Sequence, residues 1–276
     1  LIDIPDTQSR IFVATIVHVA SPLPAINLDR AGSIPDLLVD VALNDHEMLA
    51  PQVFRLLRDL IISIQLVPGQ RVSEKEISEC LGASKTPVRE ALIRLEDAGL
   101  VRVIPKSGTY VTPIRIANYV EGCFIRLQLE IGAVRRAAQR HGDSLRGIDL
   151  DAILAEQQQA MDAVDDVGFF KLDQKLHKAL FAIAGVPGAW DALERSQIEV
   201  NRLRHLKRVR RIRRHAKVLA DHHRIVEAIH VADADEAENA LVAHIGSLEG
   251  EIARLSSDPE LLRFIESQGS LPNGVF

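Results

Sequence analysis

A chain of 276 residues that is 47% hydrophobic and 26% charged, with a formal net charge of −5, has the composition of an ordinary globular protein, and its length favours two domains over one. Its two cysteines, Cys80 and Cys123, exclude a disulfide framework or a thiolate zinc site and fit a reducing cytoplasm. No apolar run approaches the roughly 18 residues a membrane helix needs; the longest near the start, Ile11 to Ala20, is broken by His18 and lacks the basic leader of a secretory signal.

Residues 1–47 mix Pro, Asp and short apolar runs and suggest no function. The first methionine is Met48, so the segment reads either as a genuine extension or as sequence upstream of the start. From Pro51 to about Ile64, apolar Val53, Leu56, Leu57, Leu60, Ile61 and Ile64 recur at helical spacing, and Val67-Pro68-Gly69 stops the element. Ser73-Glu74-Lys75-Glu76 is a capping box that opens a second helix, running to about Leu81. Gly82-Ala83-Ser84 then combines a helix stop with an N-cap, and a third helix runs from there to Ala98-Gly99. Two β-prone runs, 100–104 and 109–112, flank Pro105-Lys106-Ser107-Gly108 and predict a hairpin. Three helices and a hairpin make a winged helix-turn-helix over 48–113.

Beyond Pro113 the pattern changes to long amphipathic helices with almost no strand signal. They are expected at 116–140, 148–164, 166–184, 187–215, 217–231, 234–256 and 258–267, with breaks at His141-Gly142-Asp143, Gly185-Val186-Pro187-Gly188 and Ala232-Asp233. The expected fold class is therefore mainly α: a winged helix-turn-helix followed by an all-α antiparallel bundle over 114–267, with a tail at 268–276.

In the third helix Val88, Ala91, Leu92 and Leu95 fall on the side that packs inward, and Lys85, Thr86 and Arg89 on the other, near the N-terminal end. A recognition helix presents its groups to a DNA major groove in that position, and a helix N-terminus itself favours phosphate. Lys106, with Gly108 and Thr109 at the hairpin tip, would reach the neighbouring backbone or groove. Residues 50–113 hold nine Lys/Arg against seven Asp/Glu, so charge alone does not carry this reading. The order of elements does.

Asp173 and His177 are four apart and share a helix face. His222 and His244 lie ten residues before and twelve after the break near Ala232, which at about 1.5 Å per residue puts them at similar levels of an antiparallel helical hairpin. Three helices would thus aim one carboxylate and three imidazoles at one point. Such a donor set without thiolate suits Zn, Ni, Mn or a similar divalent ion, with positions left for water or an anion. An isolated Asp/His pair at this spacing is ordinarily a surface hydrogen bond; the matched levels favour a site.

The run Leu81-Gly82-Ala83-Ser84-Lys85-Thr86-Pro87-Val88-Arg89-Glu90-Ala91-Leu92, with Pro68-Gly69, Val72-Ser73-Glu74, Glu76-Ile77, Leu95 and Gly99-Leu100-Val101, closely resembles the DNA-binding domain of GntR-family transcription regulators. The resemblance implies that Lys75, Lys85, Thr86, Arg89, Lys106 and Gly108 contact operator DNA. At Lys85 the family more often has Arg, and a lysine makes a point contact where an arginine makes a bidentate one. Arg126-Leu127-Gln128-Leu129-Glu130, Asp173-x3-His177, His222-x2-Ile225-x2-Ala228, Asp233-x3-Ala237 and His244 resemble the FCD effector domain of that family's FadR-type branch. This second resemblance implies metal ligation by Asp173, His177, His222 and His244, with Arg126 beside an effector pocket. Where that domain commonly has Ala-Gly-Asn, this chain has Ala184-Gly185-Val186, one polar group fewer. His223 is the rival ligand to His222; the register through Ile225 and Ala228 favours His222.

The run at 201–215 carries eight Lys/Arg. It reads as a solvated face, or as a source of one or more arginines turned inward toward an effector carboxylate. The expected function is a cytoplasmic, ligand-responsive regulator, in the manner of a repressor. It would bind palindromic double-stranded operator DNA as a homodimer and sense a small organic acid at a metal-containing pocket, with no membrane and no enzymatic role. The alternatives are a metal-dependent hydrolase in the helical half, for which the sequence offers no H-E-x-x-H motif or other positioned base, and an architectural DNA-binding dimer without an effector.

Overall fold

The computed structural model describes residues 32–44, 46–140, 148–209, 215–246 and 248–267. Most of the 1–47 segment, the expected break at 141–143 and the 268–276 tail lie outside the described residues.

The first half is a small head. Its helices are α1 (Ile34–Leu38), α2 (Leu49–Ile62), α3 (Glu74–Leu81) and α4 (Lys85–Asp97); its strands are β1 (Arg71–Val72), β2 (Val101–Ile104) and β3 (Gly108–Val111). Ser73 opens α3 by accepting the Glu76 amide at 3.3 Å, and Gly82 closes it in the left-handed region (φ 59°) that glycine adopts without strain. Ser84 has the extended backbone of a cap, but its hydroxyl makes no cap bond. One side of each helix supplies a common core of Val53, Leu57, Ile61, Ile77, Val88, Leu92 and Leu95, closed by Val101 and Val111 of the hairpin.

Two parts of the head go beyond the sequence expectation. Arg71–Val72 pairs antiparallel with β3, making the hairpin a three-stranded sheet of order β1-β3-β2. In addition, α1 inserts Ile34 and Leu38 into the head core. Leu38 is 1% exposed, and removing a leucine side chain from such a position costs about 2–5 kcal/mol.

The second half consists of α5 (Ile116–Gln139), α6 (Leu150–Asp162), α7 (Asp166–Ile183), α8 (Pro187–Ser196), α9 (Ile198–Val209), α10 (His215–His230), α11 (Ala234–Ile245), α12 (Leu248–Ser256) and α13 (Pro259–Ser267). α10 and α11 form the antiparallel hairpin, turning at Ala232 (φ 57°). Asp149, Asp165 and Asp233 cap α6, α7 and α11 through their carboxylates. Leu154, Phe169, Leu176, Leu180, Ile225, Ile229 and Leu241 share the main bundle core.

Two long helices expected from the sequence are each divided. The 187–215 element breaks at Gln197, where the Ser196 hydroxyl bonds back to Leu193 O at 2.7 Å and competes with the helix ladder. The 234–256 element breaks at Gly246, whose φ of 90° an L side chain rarely adopts. The first division matters for the site, because it frees α9 to take its own direction between head and bundle.

Candidate DNA-reading face and metal centre

On the head, Lys75, Lys85, Thr86, Arg89 and Lys106 are all exposed. They stand on the front of α3, the first turns of α4 and the wing. Arg89 is held by Glu74 in a two-bond fork, Nε to Oε2 and Nη2 to Oε1, each at 3.0 Å. This pair fixes the guanidinium at the mouth between α3 and α4. Lys75 lies 3.7 Å from Glu79, an exposed pair worth little energy. In the wing Lys106 adopts φ 63° and Gly108 φ 138°. A Cβ at Gly108 would come within 2.9 Å of Arg71 Nε, so glycine there lets the Arg71 side chain lie across the wing. Arg71 is a cation on this face that motif reading passed over, because it belongs to a two-residue strand.

In the bundle, α7 contributes Asp173 and His177, α10 His222 and α11 His244. One ligating atom from each of the four lies within 4.8 Å of the others. His244 Nε2 is 3.3 Å from both His177 Nε2 and His222 Nε2, and His222 Nε2 is 3.6 Å from Asp173 Oδ1. Asp173, His177 and His222 are almost wholly buried. His223 is exposed and stands outside the cluster.

Two of the three rings are oriented from behind by a hydrogen-bond acceptor, and the third has a carboxylate nearby. Glu130 Oε2 lies 2.5 Å from His177 Nδ1, Gln157 Oε1 lies 2.8 Å from His222 Nδ1, and Asp221 Oδ2 lies 3.7 Å from His244 Nδ1. The acceptors at Nδ1 of His177 and His222 draw the proton there and leave Nε2 as the accepting atom of those two rings, while Asp221 is too far from His244 Nδ1 to hydrogen-bond it. Burial holds His222 down to about 3 despite Asp173 beside it. Burial, together with His222, holds His244 well below the ordinary imidazole value. The His222–Asp173 contact is therefore no salt bridge at neutral pH, and both rings are neutral donors.

The acidic groups stay charged. Burial pushes the Glu130 carboxyl up, but Arg126 and His177 outweigh it and hold it down to about 2. Burial likewise opposes the charge on Asp173, and Arg204 and the neighbouring cluster hold it well below the carboxylate range. Burial also opposes Arg126, which Glu130 and Asp173 keep protonated. Asp173 Oδ1 is buried without a hydrogen-bond partner, an orphaned acceptor beside three imidazole nitrogens. The donor set therefore fits a divalent cation.

Two guanidiniums flank the cluster. Arg126 pairs with Glu130 at 2.8 Å and brings Nη2 to 3.1 Å from His177 Nε2. Arg204 of α9 reaches Asp173 Oδ2 at 2.8 Å and leaves Nη1 buried without an acceptor. Of the basic run at 201–215, Arg202 and Arg204 turn inward, and 210–214 lie outside the described residues. A separate cavity of about 500 Å³ opens between head and bundle rather than at the cluster. The chemistry is at the cluster, where the donor atoms converge.

The comparisons agree with this architecture. Residues 49–111 match the profile described as "Bacterial regulatory proteins, gntR family", and residues 122–247 match the FCD domain. The HTH-type transcriptional repressor RspR of Escherichia coli K12 is 31% identical over 222 residues, spanning 80% of this chain and 96% of RspR. The chain belongs to the GntR family. Among solved structures, E. coli McbR/YncC superposes with a TM-score of 0.63 at 25% identity, covering 76% of this chain and 98% of that one. A GntR-type regulator from Rhodococcus sp. RHA1 gives 0.60 at 25% identity, covering 75% and 97%. This GntR-family chain is a DNA-binding transcription regulator with an FCD domain, and none of its described helices is long and apolar enough to cross a membrane.

Within this FCD domain the sequence reading passed over three groups of the site. Gln157 sits in the run Gln157-Gln158-Gln159 and Asp221 directly precedes His222; neither has a spacing that marks it. Arg204 was one of eight basic residues, distinguishable only by its place about two turns after the Gln197 break.

Proposed function

We propose that the protein is a metal-containing, ligand-responsive transcriptional repressor of the bacterial cytoplasm, binding a palindromic operator as a homodimer and sensing a small organic acid. The observation that carries this reading is the convergence of three imidazole nitrogens and one unpartnered carboxylate oxygen under Arg126 and Arg204. Asp173, His177, His222 and His244 would hold the divalent ion, which supplies a Lewis-acid anchor for a carboxylate. The two guanidiniums would orient that carboxylate, and guanidinium geometry suits it.

On the head, Lys85, Thr86 and Arg89 would enter the major groove. Lys75, Lys106, Gly108 and Arg71 would follow the phosphates. A homodimer is supported by the exposed apolar face of α5, where Phe124, Ile125 and Leu129 are 51%, 37% and 36% exposed. The repressor sense follows the similar protein RspR, a transcriptional repressor. Hydrolysis is not favoured, since Glu130, the carboxylate behind the cluster, is already committed to Arg126 and His177.

The test is a titration of small carboxylates against operator binding by metal-loaded protein. A ligand that binds the pocket should shift operator affinity, since an effector acts only through unequal affinity for two arrangements. Equal operator affinity with and without every pocket ligand would remove the effector claim.

A further inference from the structure

Two arginines of α9 contact different halves of the molecule. Arg202 and Arg204 are two residues apart, which at about 3.6 residues per turn places them on nearly opposite sides of the helix. Arg204 reaches Asp173 in the metal cluster. Arg202 is fully buried, donating from Nη2 to Thr112 O at 2.6 Å and from Nη1 toward Pro113 O at 3.5 Å, with Glu199 Oε2 3.3 Å from Nη1. Thr112 and Pro113 begin the short connection from β3 to α5, the covalent joint between head and bundle.

Apolar contacts hold α9 at the same joint. Val200, Leu203 and Leu206 share one core cluster with Ile64, which follows head helix α2, with Ile114 of the connection, and with Leu255 and Leu261. Beside them lies the cavity of about 500 Å³, lined in part by Arg102, Thr112, Arg115, Ile198 and Glu199. Head and bundle are thus not close-packed along this edge, and the connection has room to shift without a core being rebuilt.

The Arg202–Glu199 pair is a poor device for stability. Burial pushes the Glu199 carboxyl up and the Arg202 guanidinium down, and buried ion pairs often add little net stabilisation. Their better-attested use is to fix one arrangement over others. Here the guanidinium is aimed at two backbone carbonyls of the joint.

We infer that α9 is the link through which occupancy of the Asp173–His cluster reaches the DNA-reading head, with Arg204 as its pocket-side contact and Arg202 as its head-side contact. The inference rests on the reading of the chain as a ligand-responsive regulator. Both arginines are positioning residues. An ion or anion that draws on Asp173, or fills the acceptor missing at Arg204 Nη1, changes what Arg204 holds. Movement of α9 is then carried by Arg202 to Thr112 and Pro113, and so to the wing.

The experiment uses full-length protein stripped with a chelator and then loaded with Zn²⁺, with a duplex selected in vitro on the wild type. Loading is expected to change wild-type duplex affinity by about fivefold or more. In Arg202→Lys and Arg202→Met, Zn²⁺ affinity without DNA should stay within about twofold of wild type, while loading changes duplex affinity by less than about twofold. Hydrogen exchange of the backbone at 110–116, sensitive to Zn²⁺ in the wild type, should become insensitive in the same variants. Arg202→Lys keeps the buried charge, so the experiment reads even where Arg202→Met fails to fold. Wild-type coupling retained in a folded Arg202 variant overturns the inference. A wild type whose duplex affinity ignores loading overturns the reading beneath it as well.

Discussion

His222 and His244 meet Nε2 to Nε2 at 3.3 Å inside the bundle, with the Nδ1 of His222 engaged by Gln157 and both rings kept neutral by burial. Two imidazole nitrogens at that distance need a proton or a cation between them, and with the Nδ1 proton of His222 held by Gln157 its Nε2 lone pair is open to either. His177 adds a third Nε2 and Asp173 an orphaned oxygen. Purified, chelator-free protein is therefore expected to carry about one divalent ion per chain, as a four-donor site of this kind holds one. His222→Ala and Asp173→Ala should each lose it. Metal analysis by mass spectrometry checks this, and an ion retained in both variants would place it elsewhere.

Stability without metal should fall in acid. The His222 ring is held from 6.5 down to about 3, and the Glu130 carboxyl from 4.5 down to about 2. Between each pair of values the unfolded chain binds a proton that the folded chain refuses, so stability rises with pH there. The contribution of His222 is fully present above 6.5 and lost as pH falls toward 3; that of Glu130 is lost between 4.5 and 2. Denaturant midpoints of chelator-treated protein should drop between pH 7 and 5, and His222→Gln should flatten that drop. Identical curves for the two proteins would contradict the burial argument.

Gln157 gives a cleaner handle on the site than any ligand. Its Oε1 holds the His222 Nδ1 proton at 2.8 Å, and it is fully buried on α6 without touching the shared centre. Gln157→Leu keeps the volume and removes the acceptor. Metal affinity should fall by about 10–100-fold, the usual cost of losing a partner behind a ligating histidine. Competition with a chromophoric chelator measures this, and unchanged affinity would show that packing alone orients the ring.

These relationships explain what could be read in advance. The head was legible because each of its signals is local: the Ser73 cap, the Gly82 stop, and the apolar spacing of Val53, Leu57 and Ile61. Asp173 and His177 were legible for the same reason, and His222 and His244 because two helices turning at Ala232 set their levels. β1 was not, since a two-residue strand has no period and exists only by pairing with Thr109 and Tyr110. Nor was the division at Gln197, which contains neither Gly nor Pro and arises from the Ser196 hydroxyl. Missing that break hid the independent helix that brings Arg204 to Asp173. Ile34 and Leu38 of α1 were missed because five helical residues carry too short a pattern.

The two kinds of cation on the head should fail differently. Arg89, forked to Glu74 at 3.0 Å through both Nε and Nη2, is pre-oriented for bidentate contact with a guanine edge. Arg89→Ala should cost about 1–3 kcal/mol on the selected duplex and relax preference at one base position. Arg89→Lys should not rescue it, because a lysine cannot reproduce the fork. Lys75 stands exposed at the front of α3 with only the weak Glu79 pair at 3.7 Å, which suits a phosphate contact. Lys75→Ala should weaken all duplexes alike and reduce the salt slope of binding by about 1. Fluorescence anisotropy on matched and scrambled duplexes at several salt concentrations separates the two. A loss of base preference in Lys75→Ala, or a uniform loss in Arg89→Ala, would exchange their roles and rotate the head relative to the groove.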